Sequence, residues 1–89
     1  MEAIWKQSLE CAEHQVVSLP RGSKVLCVQT QREQPCIWFV TPETNNPTME
    51  LRTFAIHGTG HECVTVNGIY IGTFQLQGGA LVFHVFEEK

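Results

Sequence analysis

Turn-forming residues interrupt this chain about every ten positions, which leaves room for short strands but for no long helix. Residues 3–9 (AIWKQSL) mix aromatic, β-branched and polar types, as an opening strand does. Residues 10–13 are a polar interruption, with space for at most one helical turn near residues 10–14. Residues 15–19 (QVVSL) run into Leu19-Pro20-Arg21-Gly22, whose proline and glycine placement predicts a type I turn. Residues 24–31 (KVLCVQTQ) and 36–41 (CIWFVT) flank a polar connection, Gln31-Arg32-Glu33-Gln34. That connection is too short for a crossover, so the two strands pair antiparallel. Residues 41–48 (TPETNNPT) form a surface loop. Residues 50–57 (ELRTFAIH) give the next strand and lead into Gly58-Thr59-Gly60-His61. Residues 62–68 carry no clear pattern beyond a turn signal at Asn67-Gly68. In residues 69–77 (IYIGTFQLQ), alternation sets Tyr70, Gly72, Phe74 and Leu76 against Ile71, Thr73 and Gln75. Gln77-Gly78-Gly79 then turns the chain into residues 80–86 (ALVFHVF). The expected fold is all-β: one domain over residues 1–89, a small antiparallel sandwich or partly open barrel of about seven short strands.

The last run constrains the surface. Leu81, Phe83 and Val85 point one way, and Val82, His84 and Phe86 the other, so both faces are largely apolar. Such a strand lies between layers or is covered on one face by another subunit. A chain of 89 residues hides only about 60% of the surface its unfolded form exposes. A homo-oligomer is therefore expected.

Net charge is −3, and the six cations are spread along the chain without a cluster. Duplex nucleic acid needs several cations on one face, so it is excluded as a partner. A small anion needs only two cations and a few backbone N–H groups. All nine acids are glutamate, which weakens any aspartate-centred Mg²⁺ or Ca²⁺ site. The sequence shows no signal-peptide pattern and no apolar run near the roughly 20 residues that span a bilayer. A cytoplasmic protein with no membrane partner is expected, with Cys11, Cys27, Cys36 and Cys63 reduced.

Residues 52–61 (RTFAIHGTGH) are the most distinctive segment. Two glycines around a threonine, directly after a strand, let the backbone aim successive N–H groups at an anion. Thr59 adds a hydroxyl, His57 and His61 flank the concavity, and Arg52 supplies charge. An ordinary glycine-rich strand connection has the same composition. The segment is neither a Walker loop nor a dinucleotide fingerprint. His57, His61 and Cys63 lie close together, but the chain has no C-x-x-C pair, so no metal site is assigned and the metal question stays open for these three. No cofactor is implied. Cys63 with a histidine lacks an aspartate to orient the ring, and no glutamate pair is selected by spacing; no catalytic residues are assigned and the chain is read as a non-enzyme. Most of the aromatics belong to the core. Trp5 and Tyr70, each near a strand end, are the candidates to stack on a base or anchor a partner.

The segments CIWFV, RTFAIHGTGH and YIGTFQ…LVFHVFE together resemble a family of small phage and prophage proteins, and the resemblance covers nearly the whole chain. It implies no catalytic residues and no particular activity. What it implies is a protein that acts by occupation, on a host protein or a small host molecule. The leading expectation is a counter-defence sponge for a small anionic, nucleotide-like ligand. In it Arg52, His57, Gly58, Thr59, Gly60 and His61 grip phosphate, while Trp5 or Tyr70 holds a base. The alternatives are an inhibitor or adaptor of a host protein, which uses an apolar edge and the loop at 41–48, and a structural module of a phage particle.

Overall fold

A computed structural model describes residues 1–42, 44–63 and 68–88. Seven strands run in chain order: β1 (Glu2–Ser8), β2 (His14–Pro20), β3 (Lys24–Gln31), β4 (Gln34–Pro42), β5 (Met49–Gly58), β6 (Ile69–Leu76) and β7 (Leu81–Glu88). A 3₁₀ turn, Gln77–Gly79, joins the last two. The strands form two antiparallel sheets, β1-β4-β3 and β2-β5-β7-β6. The fold is an open sandwich, not a closed barrel. Among the described residues no helix is long and apolar enough to cross a membrane. Asn67, of the Asn67-Gly68 turn signal, lies outside the described residues.

Alternation explains the core. Ile37 and Phe39 from β4, Phe54 and Ile56 from β5, Phe74 from β6 and Val85 from β7 meet between the sheets with Leu9, Leu19 and Val28. These side chains are almost fully hidden. At about 1.5–3 kcal/mol for each large apolar side chain, they supply the main driving force for folding. β3 and β6 close one side of the sandwich, and contact there is tight. A Cβ on Gly72 would stand 3.1 Å from Cγ1 of Val28.

Both of these corner strands carry a register shift, between Val25 and Cys27 in β3 and between Tyr70 and Gly72 in β6. A β-bulge adds one residue against its partner strand and re-aims the side chains beyond it. The β6 shift corrects the simple alternation expected for residues 69–77. Gly72, Phe74 and Leu76 still face the interior, but Tyr70 joins Thr73 and Gln75 on the outer face.

The turn after β2 also differs from expectation. It closes one residue later, with the Ser23 amide donating to the Pro20 carbonyl at 3.1 Å, and Gly22 has φ of +81°. A positive φ at the third position rules out type I and fits type II. The β3–β4 connection is a two-residue turn with Arg32 and Glu33 at φ of +53° and +64°. That pattern is type I′, normally filled by Asn-Gly because other residues resist the left-handed region. The Glu33 carboxylate offsets some of the cost by accepting the Gln77 amide at 2.7 Å, which ties this turn to the β6–β7 connection.

Arg52 is a structural strut. Its guanidinium donates to Glu87 through Nε at 2.5 Å and Nη2 at 2.9 Å, and through Nη1 to the Ser23 carbonyl. Glu50 is a further ion-pair partner at 3.6 Å. The hydrogen bond to Glu87 leads the effects that raise the Arg52 pKa above its ordinary value, with the Glu87 and Glu50 charges adding to it against opposing burial. The fork links β5 and β7 of one sheet to the start of β3 in the other, with side chains only 17% and 14% exposed.

Two outcomes are expected in urea denaturation. Arg52→Ala lowers stability by about 2–3 kcal/mol, because Glu87 is left partly buried without its bidentate partner; Arg52→Lys recovers only part of the loss. Arg32→Asn raises stability by about 0.5–1 kcal/mol by easing the left-handed turn.

Candidate functional site

The outer face of the four-stranded sheet carries a connected set of rings in two adjacent rows. Register places His14 opposite Ala55, Ala55 opposite Phe86, and Phe86 opposite Tyr70, one residue from each strand. The next row runs from His57 through His84 to Thr73. Residues two apart share a face, so the two rows stand side by side. Ring centroids confirm the contact: 6.3 Å for His14–His57, 6.2 Å for His57–Phe86, 5.2 Å for Tyr70–Phe86 and 6.3 Å for Tyr70–His84. Ala55 is what lets the row close up. It is fully buried on this outer face because its larger neighbours lean over it.

Beside the row lies an open concavity of about 240 Å³, lined by residues of the Gly58-Thr59-Gly60-His61 turn together with Tyr70, His84 and Phe86. His57 and Cys63 complete its wall. The missing side chain of Gly58 makes room for the His61 ring, since a Cβ there would stand 2.9 Å from Nδ1 of His61. His84 is held from both sides: Nε2 is 2.7 Å from the Thr59 hydroxyl, and Nδ1 is 3.1 Å from that of Thr73 and 3.4 Å from that of Tyr70. The Tyr70 and Thr73 hydroxyls also bond to each other. A hydroxyl can donate or accept, so this set satisfies either neutral tautomer of His84. At the other end, His14 Nδ1 lies 2.8 Å from the Glu88 carboxylate.

The sequence-predicted residues divide. His57, Gly58, Thr59, Gly60, His61 and Tyr70 all meet in this one concavity. Arg52 does not: it is committed to Glu87 and Ser23. Trp5 lines a different hollow, of about 250 Å³, with Pro20, Phe39 and Thr41. Two of the corner's amides have partners within the protein. The Thr59 amide donates to the Val82 carbonyl at 3.0 Å and the His61 amide to the Gly58 carbonyl at 3.0 Å, so both are spent within the protein. The Thr59 hydroxyl is occupied by His84. What remains is a lining of rings without a guanidinium or ammonium group.

Sequence reasoning missed His14, His84 and Phe86. The signal for two of them was the outward-pointing half of the last strand. β7 is not enclosed between layers: Val85 fills the core, while His84 and Phe86 form the half-covered row outside. Among the described residues, no group of three His, Cys, Asp or Glu side chains converges as a metal site would. The four cysteines are free thiols, with Cys36 buried, Cys27 half-buried and the other two exposed.

Burial first, and then the neighbouring Glu10 charge, push the Cys11 thiol pKa above its ordinary value. Both effects favour the neutral thiol in the folded chain. At pH 8, alkylation of Cys11 by iodoacetamide, read by peptide mass spectrometry, is therefore expected to be slower than in urea-unfolded chain. Equal rates would show that fold and charge leave this thiol unaffected.

Among curated proteins and solved structures no match was found. A family model described as Domain of unknown function (DUF7352) matches residues 1–89, and the chain belongs to that family.

Proposed function

We propose that this chain is a phage-type binding protein that works without catalysis. In this reading the ring row on the four-stranded sheet receives one aromatic or aliphatic side chain of a host protein. The observation that carries it is the chemistry of the concavity: Tyr70, Phe86 and three histidines line it, and the turn beside it has spent its Thr59 and His61 amides. Its volume, about 240 Å³, falls below the roughly 300–1,000 Å³ usual for small-molecule sites. A space of that size suits one anchoring side chain, and interfaces commonly draw most of their energy from such an anchor. Tyr70 lines the concavity and is 52% exposed, so a partner can reach it. The resemblance to phage proteins supports a host factor as the partner, and the cytoplasm as the place of encounter.

Sequestration of a nucleotide-like anion is the weaker reading. It draws on Arg52 and the turn amides, and Arg52 and the Thr59 and His61 amides are engaged elsewhere.

Two measurements separate these readings. The immobilised wild-type chain is expected to retain one host protein in stoichiometric amount, and Tyr70→Ala to lose it while melting within a few degrees of wild type. Cyclic dinucleotides and ADP-ribose at about 1 mM are expected to leave the melting temperature unchanged; a ligand at a hundred times its Kd would add about 2.7 kcal/mol of stability. A clear nucleotide-dependent rise in melting temperature, with no retained protein, would reverse the order of the two readings.

A further inference from the structure

The two sheets leave different kinds of edge. β3 and β6 pack against each other at the closed corner, whereas among the described residues β1 and β2 are the free edges on the open side. An unpaired edge is a template for another strand unless something blunts it. β2 is blunted: it ends in Pro20, which has no N–H to give, and its sequence HQVVSLP contains no pair of opposite charges. β1 has neither proline nor bulge, and it pairs in register with β4 along its whole length, from Glu2 to Ser8. Ile4 and Trp5 on it are 63% and 58% exposed, an unusual outlay of apolar surface for an edge strand.

A lone lysine on an edge normally discourages pairing with another chain. Here the strand supplies its own answer to that charge. Glu2, Ile4 and Lys6 share the outer face, and all three are exposed; within one chain the Lys6 ammonium rests on Gln31 over the Trp38 ring, and it would turn to the edge to meet a partner. Two copies of β1 set antiparallel about Ile4 would place Glu2 of each copy opposite Lys6 of the other, on either side of an Ile4–Ile4 contact. Ala3 would then face Trp5 on the opposite side and cover part of its ring. Centring the pair on Trp5 instead sets Glu2 against Ser8 and Ile4 against Lys6, which loses both charge pairs.

We infer that the protein forms a two-fold symmetric dimer through β1, joining the two three-stranded sheets into one sheet of six, with Ile4 on the axis and Glu2 matched to Lys6. The pairing is isologous, so each contact occurs twice and a single substitution is felt twice. The proposal stands apart from the ring row, which lies on the other sheet.

Sedimentation equilibrium of the full chain tests it. The wild type is expected to show a reversible monomer–dimer equilibrium that weakens with added salt. Glu2→Lys and Lys6→Glu, each of which puts like charges opposite one another, should raise the dissociation constant by about tenfold. The double reversal, Glu2→Lys with Lys6→Glu, should return it close to the wild-type value. Ile4→Arg, which sets two cations on the axis at an exposed position, should leave a monomer with an unchanged melting temperature. A wild type that stays monomeric up to about 500 µM overturns the dimer, since any association left would then be worth less than about 4.5 kcal/mol. A dimer that survives Ile4→Arg, or a double reversal no better than the single ones, overturns the assignment to β1 in this register.

Discussion

Two added residues at the closed corner of the sandwich determine what this protein shows to solvent. The bulge in β6 lies between Tyr70 and Gly72, opposite Phe86 and Val85 of β7. Below it, alternation delivers Gly72, Phe74 and Leu76 to the core. Above it the phase is reversed, so Tyr70 is turned out and lies over Phe86. Were β6 paired regularly through residues 70–72, Tyr70 would share the interior face with Phe74, and the row of rings would end at β7. The matching shift in β3 leaves Val25 and Val28 facing inward and turns Cys27 out beside Trp38. Bulges strengthen local twist. Their presence in the two strands that meet at the corner agrees with the approach of Gly72 to Val28.

The strands themselves were legible because their apolar runs are short and their punctuation is strong. β3 has the bounds the sequence predicts, and the Gln31–Gln34 connection is the expected antiparallel hairpin. Trp5 and Tyr70 stand out in the sequence as the likeliest exceptions to a core placement that is still the better expectation for each ring, and both are more than half exposed. What escaped was anything that depends on a neighbour distant in sequence. Arg52 reads as a free cation in RTFAIHGTGH, and only the pairing of β5 with β7 brings Glu87 to it. The phase of Tyr70 escaped for a related reason: a bulge is a property of two strands, and alternation is counted along one.

The glycine-threonine-histidine corner illustrates the same limit. Its glycines do relax the backbone, as the positive φ of Gly60 and the close seat of the His61 ring show. That freedom closes a turn. The Val82 carbonyl takes the Thr59 amide, and Val82 lies more than twenty residues further on. A nest of amides and a satisfied turn have the same sequence; they differ only in whether another strand arrives with acceptors. In this protein β7 arrives, and it brings His84 and Phe86 to the same corner.

Face and edge are then separable resources in a domain with little surface to spare. The ring row belongs to the four-stranded sheet and the exposed Ile4–Trp5 edge to the three-stranded one. A dimer joined along β1 leaves the outer face of each four-stranded sheet uncovered, and so presents two equivalent ring rows. A partner with two copies of the anchoring side chain within reach would bind the second at a high effective concentration, without any new contact. Small domains that act by occupancy gain most from such an arrangement, because one shallow hollow of side-chain size offers limited affinity by itself. The physical demand is that the strand at the edge and the rings on the face be built from different residues. β1 contributes no residue to the ring row, and this chain meets that demand.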